Sequence, residues 1–286
     1  MNMAQRRMPI RFGTAAVYSL LLAYFVVTVF PMVWLCYTSV KPSAEVFLEP
    51  FALPVDPAWS NYAGAWEAGR LGGGLFNSVA VTLVSVGLTV FLGAMAGYAL
   101  SRFIFPGARA VLFFFIGGLM VPLQLAVVPL FFELRAMELL NSRVGLVLVY
   151  VATGLPFAVF IMTGFFRSLP AELHESALLD GAGQWGAFRY VMLPLAKPGL
   201  ITVAIFTFLG VWHEYFLAFM FLSGEGSRSV RTLPLGLAEL TIASQYRTDW
   251  GAAFAGIVMV MLPTLVVYVL LQRHLREGVT VGAVKG

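Results

Sequence analysis

ESALLDGAGQWGAFRYVMLP, residues 175–194, decides how this chain is read, because it is the only long soluble-looking helical signal lying between two membrane-length apolar runs. Ser168 serves as an N-cap and Pro170 suits the first helical turn, so a helix is predicted to begin near Leu169 and run to Leu179 or Asp180. Gly181 and Gly183 break it and supply a turn. A second short helix over 184–192 leads through Leu193 and Pro194 into the next apolar run. Ser176 and Ala177 are small, so another protein's surface can approach the backbone there. Glu172, Glu175 and Asp180 offer carboxylates to a basic partner, and Leu173, Leu178 and Leu179 form an apolar ridge suited to a groove. A helix resting on anionic lipid would be rich in Lys and Arg. This one is acidic from 171 to 180.

Around that segment the chain is built for a bilayer. Hydrophobic residues make up 60% of it and charged residues 11%, with a mean hydropathy of +0.87. A soluble domain of 286 residues needs far more charge to cover its surface. Runs free of Asp, Glu, Lys and Arg cover 12–40, 71–101, 110–132, 144–166 and 250–272, and 198–224 is interrupted only by His213 and Glu214. Each is long enough, at roughly 1.5 Å per residue, to cross a hydrocarbon core of about 30 Å. The expected architecture is all-α and polytopic, with six spans near 14–37, 76–100, 110–132, 144–166, 198–222 and 251–272. Segment 1–13 precedes them, the loop 167–194 joins the fourth and fifth, and a tail 273–286 follows. The apolar stretch from Thr14 to Tyr37 is too long for a signal-peptide core and lacks a small-x-small cleavage site, so it reads as a retained anchor.

Basic residues set the orientation. With both termini inside, 11 of the 18 Lys and Arg fall on the cytoplasmic side, and Lys41, Arg70, Arg135, Arg143, Arg228, Arg231 and Arg247 fall outside. The same topology puts 167–194 in the cytoplasm. The net charge of +4 is accounted for by the inside loops and calls for no nucleic acid. The single cysteine, Cys36, is expected to be buried and inert. Outside, the loop 41–76 is punctuated by Pro42, Pro50, Pro54, Pro57 and the Gly72–Gly74 run, with Trp59, Tyr62 and Trp66 at the interface; TLPLGLAELT within 224–250 reads as a short amphipathic or re-entrant helix. Gly93 and Gly97 form a GxxxG pair permitting close helix contact, and Pro31, Pro122, Pro129, Pro156 and Pro263 mark kinks.

Taken together, Glu175, Ser176, Ala177, Asp180, Gly181, Ala182, Val191, Leu193 and Pro194 fall on the pattern Glu-(Ala/Ser)-Ala, two residues, Asp-Gly-Ala, eight residues, an aliphatic, one residue, Leu-Pro. That spacing resembles the cytoplasmic loop of binding-protein-dependent ABC importer permeases. FNSVAVTLVSVGLTVFLGAMAGYALSR at 76–102, VPLQLAVVPLF at 121–131 and GVTVGAVKG at 278–286 are similar to the carbohydrate-uptake subfamily, in particular its six-span subunit of the maltose and glycerol-phosphate type. The resemblance implies a permease of the bacterial inner membrane that docks this loop, with Gly183, into a cleft on an ATPase. It further implies a second homologous permease, two ATPase subunits and an extracytoplasmic solute-binding protein, and a tail of Gly282, Ala283, Val284, Lys285 and Gly286 reaching the ATPases. The family's fifth span commonly carries Trp-Asn-Glu or Trp-Asn-Asp; this chain departs from it with Trp212-His213-Glu214.

No GxxxxGK[ST] phosphate loop is present, and no Gly-Lys dipeptide occurs at all, so MgATP is expected on a partner and no cofactor on this chain. Trp212, His213, Glu214 and Gln124 are the candidate translocation-path residues. An ionisable group in a membrane is costly and faces protein or water, which leaves two roles open: lining a path or gate, or pairing in an interhelical network. His174 and His274 lie far from His213 in the chain, and HExxH and GxSxG are missing, so neither a metal site nor an enzyme is expected. The other readings are a permease for a polyamine, peptide or other solute, and a carrier working without ATPases.

Overall fold

The computed structural model describes the backbone of residues 12–224 and 226–283, with side chains at 12, 13, 247 and 271–283 left aside. Helices follow in the order α1 (Phe12–Thr38), α2 (Glu45–Leu48), α3 (Ser60–Ala68), α4 (Leu71–Arg102), α5 (Ala108–Met120), α6 (Leu123–Ala136), α7 (Arg143–Ser168) and α8 (Ala171–Leu179). Then come α9 (Gly183–Gly186), a π-helical stretch (Ala187–Met192), α10 (Leu193–Leu195), α11 (Lys197–Trp212), α12 (Phe216–Phe221), α13 (Leu233–Arg247) and α14 (Trp250–Ala283). Strands do not occur among the described residues, as the all-α expectation requires.

Four helices are long and apolar enough to cross a membrane: Thr14–Thr38, Leu71–Arg102, Arg143–Ser168 and Trp250–Leu270. Two bent pairs raise the number to six if each is one span: Ala108–Met120 with Leu123–Ala136, bent by 105°, and Gly183–Leu195 with Lys197–Trp212, bent by 74°. The second pair joins the end of the loop 167–194 to α11 and is not the expected span 198–222; that span and 110–132 are each broken. The run 110–132 breaks at Val121, because Pro122 lacks the N–H that would continue the ladder and instead opens α6. The run 198–222 stops at Trp212 and resumes at Phe216.

Two units are distinguished along the chain. In the first, residues up to Ala68 with Leu240–Met259, the Lys41 ammonium is buried and donates to the carbonyls of Glu49 (2.7 Å) and Pro50 (3.3 Å). Asn61 ties Ser39 and Lys41 carbonyls together, and Asp249 accepts from the Ala252 N–H to cap α14. Cys36, expected buried, is exposed along α1, since that helix buries almost none of its surface in this unit. The second unit, Gly69–Glu239 with the later part of α14, holds the functional elements. The glycines 72–74 belong to α4 rather than to a loop. A Cβ on Gly74 would stand 3.2 Å from the Leu233 backbone, so glycine there lets the start of α13 pass.

The centre of this unit is the α4–α7 pair. A Cβ on Gly93 would lie 2.5 Å from Ala158 Cβ, and one on Gly97 would lie 2.7 Å from Met162 Cβ and 2.8 Å from the Thr163 nitrogen. In lipid the hydrophobic effect does not press helices together, so this backbone-to-backbone approach supplies the dispersion contacts that do. Below it, Tyr98, Met162, Phe166, Phe188, Met192 and Ala196 form an apolar core that seats the loop 167–194.

Candidate functional site: an exposed elbow and a cavity between broken helices

The elbow's first helix begins at Ala171, two residues later than predicted. Ser168 does not cap it; its hydroxyl donates back to the Phe165 carbonyl in the last turn of α7, and Pro170 occupies the cap position of α8. The far end agrees with the glycine reading in detail. Gly181 adopts φ +83°, its N–H donates to the Leu178 carbonyl (3.0 Å), and the Ala182 N–H donates to the Ala177 carbonyl (3.0 Å). That pair of bonds is a Schellman closure, which a left-handed glycine makes without strain. Gly183 follows at φ +61° and starts α9.

One side of the elbow is locked down. His174 is buried with Nε2 3.2 Å from Gln184 Oε1, and Tyr98 meets the His174 ring edge-on at 5.7 Å. Ala177 is buried as well, so its small side chain serves contact with the following stretch rather than an approaching partner. The Arg102 guanidinium donates to the carbonyls of Phe166 (2.6 Å) and Leu169 (2.8 Å), satisfying the orphan end of α7 and tying the elbow's root to α4. The other side is open. Glu172, Glu175, Ser176, Asp180, Gly181, Ala182, Gly183 and Pro194 are exposed, and Leu193 is half-buried. So are large apolar groups: Leu179 at 89%, Tyr190 at 74% and Trp185 at 54%. Trp185 and Tyr190 were not singled out in the sequence; two large aromatics within the second predicted helix, 184–192, were the available signal.

The second feature is a cavity of about 630 Å³ bounded by α5, α6, α7 and α11–α12. Its walls are mostly apolar, with Tyr150, Thr153, Thr207 and Glu214 as polar groups. Glu214 sits in the gap between α11 and α12. Its Oε1 accepts from the Leu217 N–H (2.7 Å), and its Oε2 accepts from the Ala218 N–H (3.0 Å) and from the Tyr150 hydroxyl (2.7 Å). The carboxylate thereby satisfies the start of α12 and fastens it to α7. Of the four residues proposed for a path, Glu214 alone lines the cavity. His213 is exposed, with Nδ1 3.0 Å from the Leu209 carbonyl and Nε2 3.2 Å from Thr264 Oγ1. Trp212 is buried and stacked on Phe208 at 5.6 Å, and Gln124 is exposed on α6. Gly282 and Ala283 continue α14, while Val284, Lys285 and Gly286 lie outside the described residues. Among the described residues no cluster of His, Cys, Asp and Glu is arranged to hold a metal.

Both features fall within residues 68–280, which match the family described as the binding-protein-dependent transport system inner membrane component. The chain belongs to that family. This inner membrane component is 43% identical over 265 residues to the diacetylchitobiose uptake system permease protein NgcG of Streptomyces coelicolor, covering 93% of this chain and 87% of that one. It is 36% identical over 256 residues to the trehalose transport system permease protein SugB of Mycobacterium tuberculosis, covering 90% and 92%. A crystal structure of a bacterial ABC transporter involved in the import of the acidic polysaccharide alginate superposes with a TM-score of 0.77 at 23% identity, covering 96% of this chain and 99% of that one. At that identity the likeness bears on the fold alone. A multi-pass protein of the inner membrane follows from the family and from the apolar helices.

Proposed function

We propose that this inner membrane component is the permease subunit of an ATP-driven importer for a carbohydrate, and that the elbow 167–194 is its mechanical link to a separate ATPase. It pairs with a second homologous permease to form the path, and works with two ATPase subunits carrying MgATP and one extracytoplasmic solute-binding protein. Both termini lie in the cytoplasm, and the tail Gly282–Gly286 is the part that reaches the ATPases. Sugar is favoured over a polyamine or peptide because the relatives named above are permeases for diacetylchitobiose and trehalose.

The observation that carries this reading is the two-sidedness of the elbow. Its inner face is packed and hydrogen-bonded to α4 and α7, so a push on it is delivered to membrane helices. Its outer face presents three carboxylates and the apolar Leu179, Trp185 and Tyr190, the combination that seats in a groove rimmed by basic residues. ATP binding need only favour one arrangement of the ATPases; the elbow then biases the helices by the difference in affinity between the two states.

The test is co-purification followed by coupling. The tagged chain brings down an ATPase whose activity rises with a ligand-loaded binding protein; a chain that purifies alone and transports without ATP contradicts the reading. Gly183→Trp clashes with the docking surface and strains a left-handed position, so uptake falls about fivefold or more while ATP hydrolysis persists, the scale of a lost coupling energy. Normal coupling in that variant excludes the docking role.

A further inference from the structure

The two breaks in the apolar helices meet at one place. Val121, where α5 stops, and Glu214, between α11 and α12, both line the cavity. Interrupted membrane helices are tolerated where the irregular backbone lines a cavity, and they mark binding sites at the bilayer midplane. The volume of about 630 Å³ falls in the range of small-molecule sites, roughly 300–1,000 Å³. Its lining is of two kinds. Phe157 and Phe206 meet at 5.6 Å and 63°, offering an aromatic surface, and Phe206 is 49% exposed. From the same two helices come Thr153 and Thr207, and Glu214 adds a carboxylate.

We propose that this subunit itself carries a transit subsite for a sugar ring, with Phe157 and Phe206 stacking on the ring's C–H face and Thr153, Thr207 and Glu214 taking its hydroxyls. The inference rests on the carbohydrate reading above. A pyranose matches that mixture of aromatic and polar groups, since it has apolar faces and a rim of hydroxyls. The free hydrogen-bonding capacity is small. Thr153 already donates to the Val149 carbonyl (2.9 Å), which leaves its oxygen to accept. Glu214 has spent three acceptor positions on Leu217, Ala218 and Tyr150, so few remain on the carboxylate. A subsite so provided holds a sugar weakly, as passage requires: binding that admits a solute must also release it.

The test uses the assembled complex with its binding protein in proteoliposomes. A panel of labelled mono- and disaccharides is screened, diacetylchitobiose and trehalose first, for stimulation of ATP hydrolysis. Phe206→Tyr and Phe206→Leu are then compared on the sugar that stimulates the wild type. Phe206→Tyr keeps an aromatic face and retains uptake. Phe206→Leu keeps apolar bulk without it and loses roughly three- to tenfold in uptake, while stimulated ATP hydrolysis stays near the wild-type rate. Equal uptake in the two variants overturns the subsite and assigns the cavity to lipid or to a helix of the second permease. If no saccharide in the panel stimulates the wild type, the carbohydrate reading itself falls, a result separate from the comparison of variants.

Discussion

Helices α4 and α7 run unbroken for 32 and 26 residues and touch backbone to backbone at Gly93 and Gly97, whereas α5–α6 and α11–α12 each stop inside an apolar run. The first pair has no room to shift without a clash. The second group packs on α7 through buried apolar residues of α6 and α12, with the three bonds of the Glu214 carboxylate as its polar fastening, and it borders open volume. The proposed transport cycle uses both: a stiff member to carry force from the elbow, and walls beside open volume to let a solute by. The difference makes the effects of mutation unequal across a molecule that is apolar throughout.

The largest loss belongs to Gly97→Leu. The new side chain meets the Met162 Cβ and backbone atoms of residues 162 and 163, which cannot swing away, so stability falls by about 3 kcal/mol and little complex is recovered. A thermal melt of the purified complex measures it; a melting temperature within a degree of wild type breaks the contrast between stiff and yielding halves. Next comes Arg102→Ala, which removes the side-chain donor from the Leu169 carbonyl and leaves the Phe166 carbonyl with only the Leu169 N–H, and costs about 2 kcal/mol by the same melt, with faster proteolysis after Leu169. Tyr150→Phe removes one of three donors to Glu214 and costs about 1 kcal/mol. Its uptake changes more than its melting temperature, because the fastening governs where α12 sits. Phe206→Leu is the smallest, within about 0.5 kcal/mol in the melt, since the ring is half exposed and leucine keeps apolar bulk against Phe157.

These two regions were unequally legible in the sequence. Gly181 and Gly183 announce a left-handed turn because few other residues occupy that conformation, and the acidic stretch before them argues against a helix resting on anionic lipid. Ser168 misled, since the same hydroxyl that caps a new helix can close the last turn of the old one, and only the tertiary setting of α7 decides between them. Ala177 is small for an internal reason, its position under the elbow, which spacing alone does not distinguish from an external one. Pro122 signalled a kink, but a bend of 105° depends on what α7 places beside it. Tyr150 lies 64 residues from Glu214 and carries no local mark of that pairing. The Trp212-His213-Glu214 triplet drew attention to the right place; the fold then turns Glu214 into the cavity, His213 outward toward Thr264 and Trp212 against Phe208.

The most direct measurement is the sidedness of the elbow. In a chain freed of its one thiol by Cys36→Ser, a cysteine is placed at the fully exposed Leu179 and treated with a membrane-impermeant maleimide. The account predicts no labelling in intact cells, labelling in inside-out vesicles stripped of the ATPase, and protection when the ATPase is bound. Labelling in intact cells contradicts it.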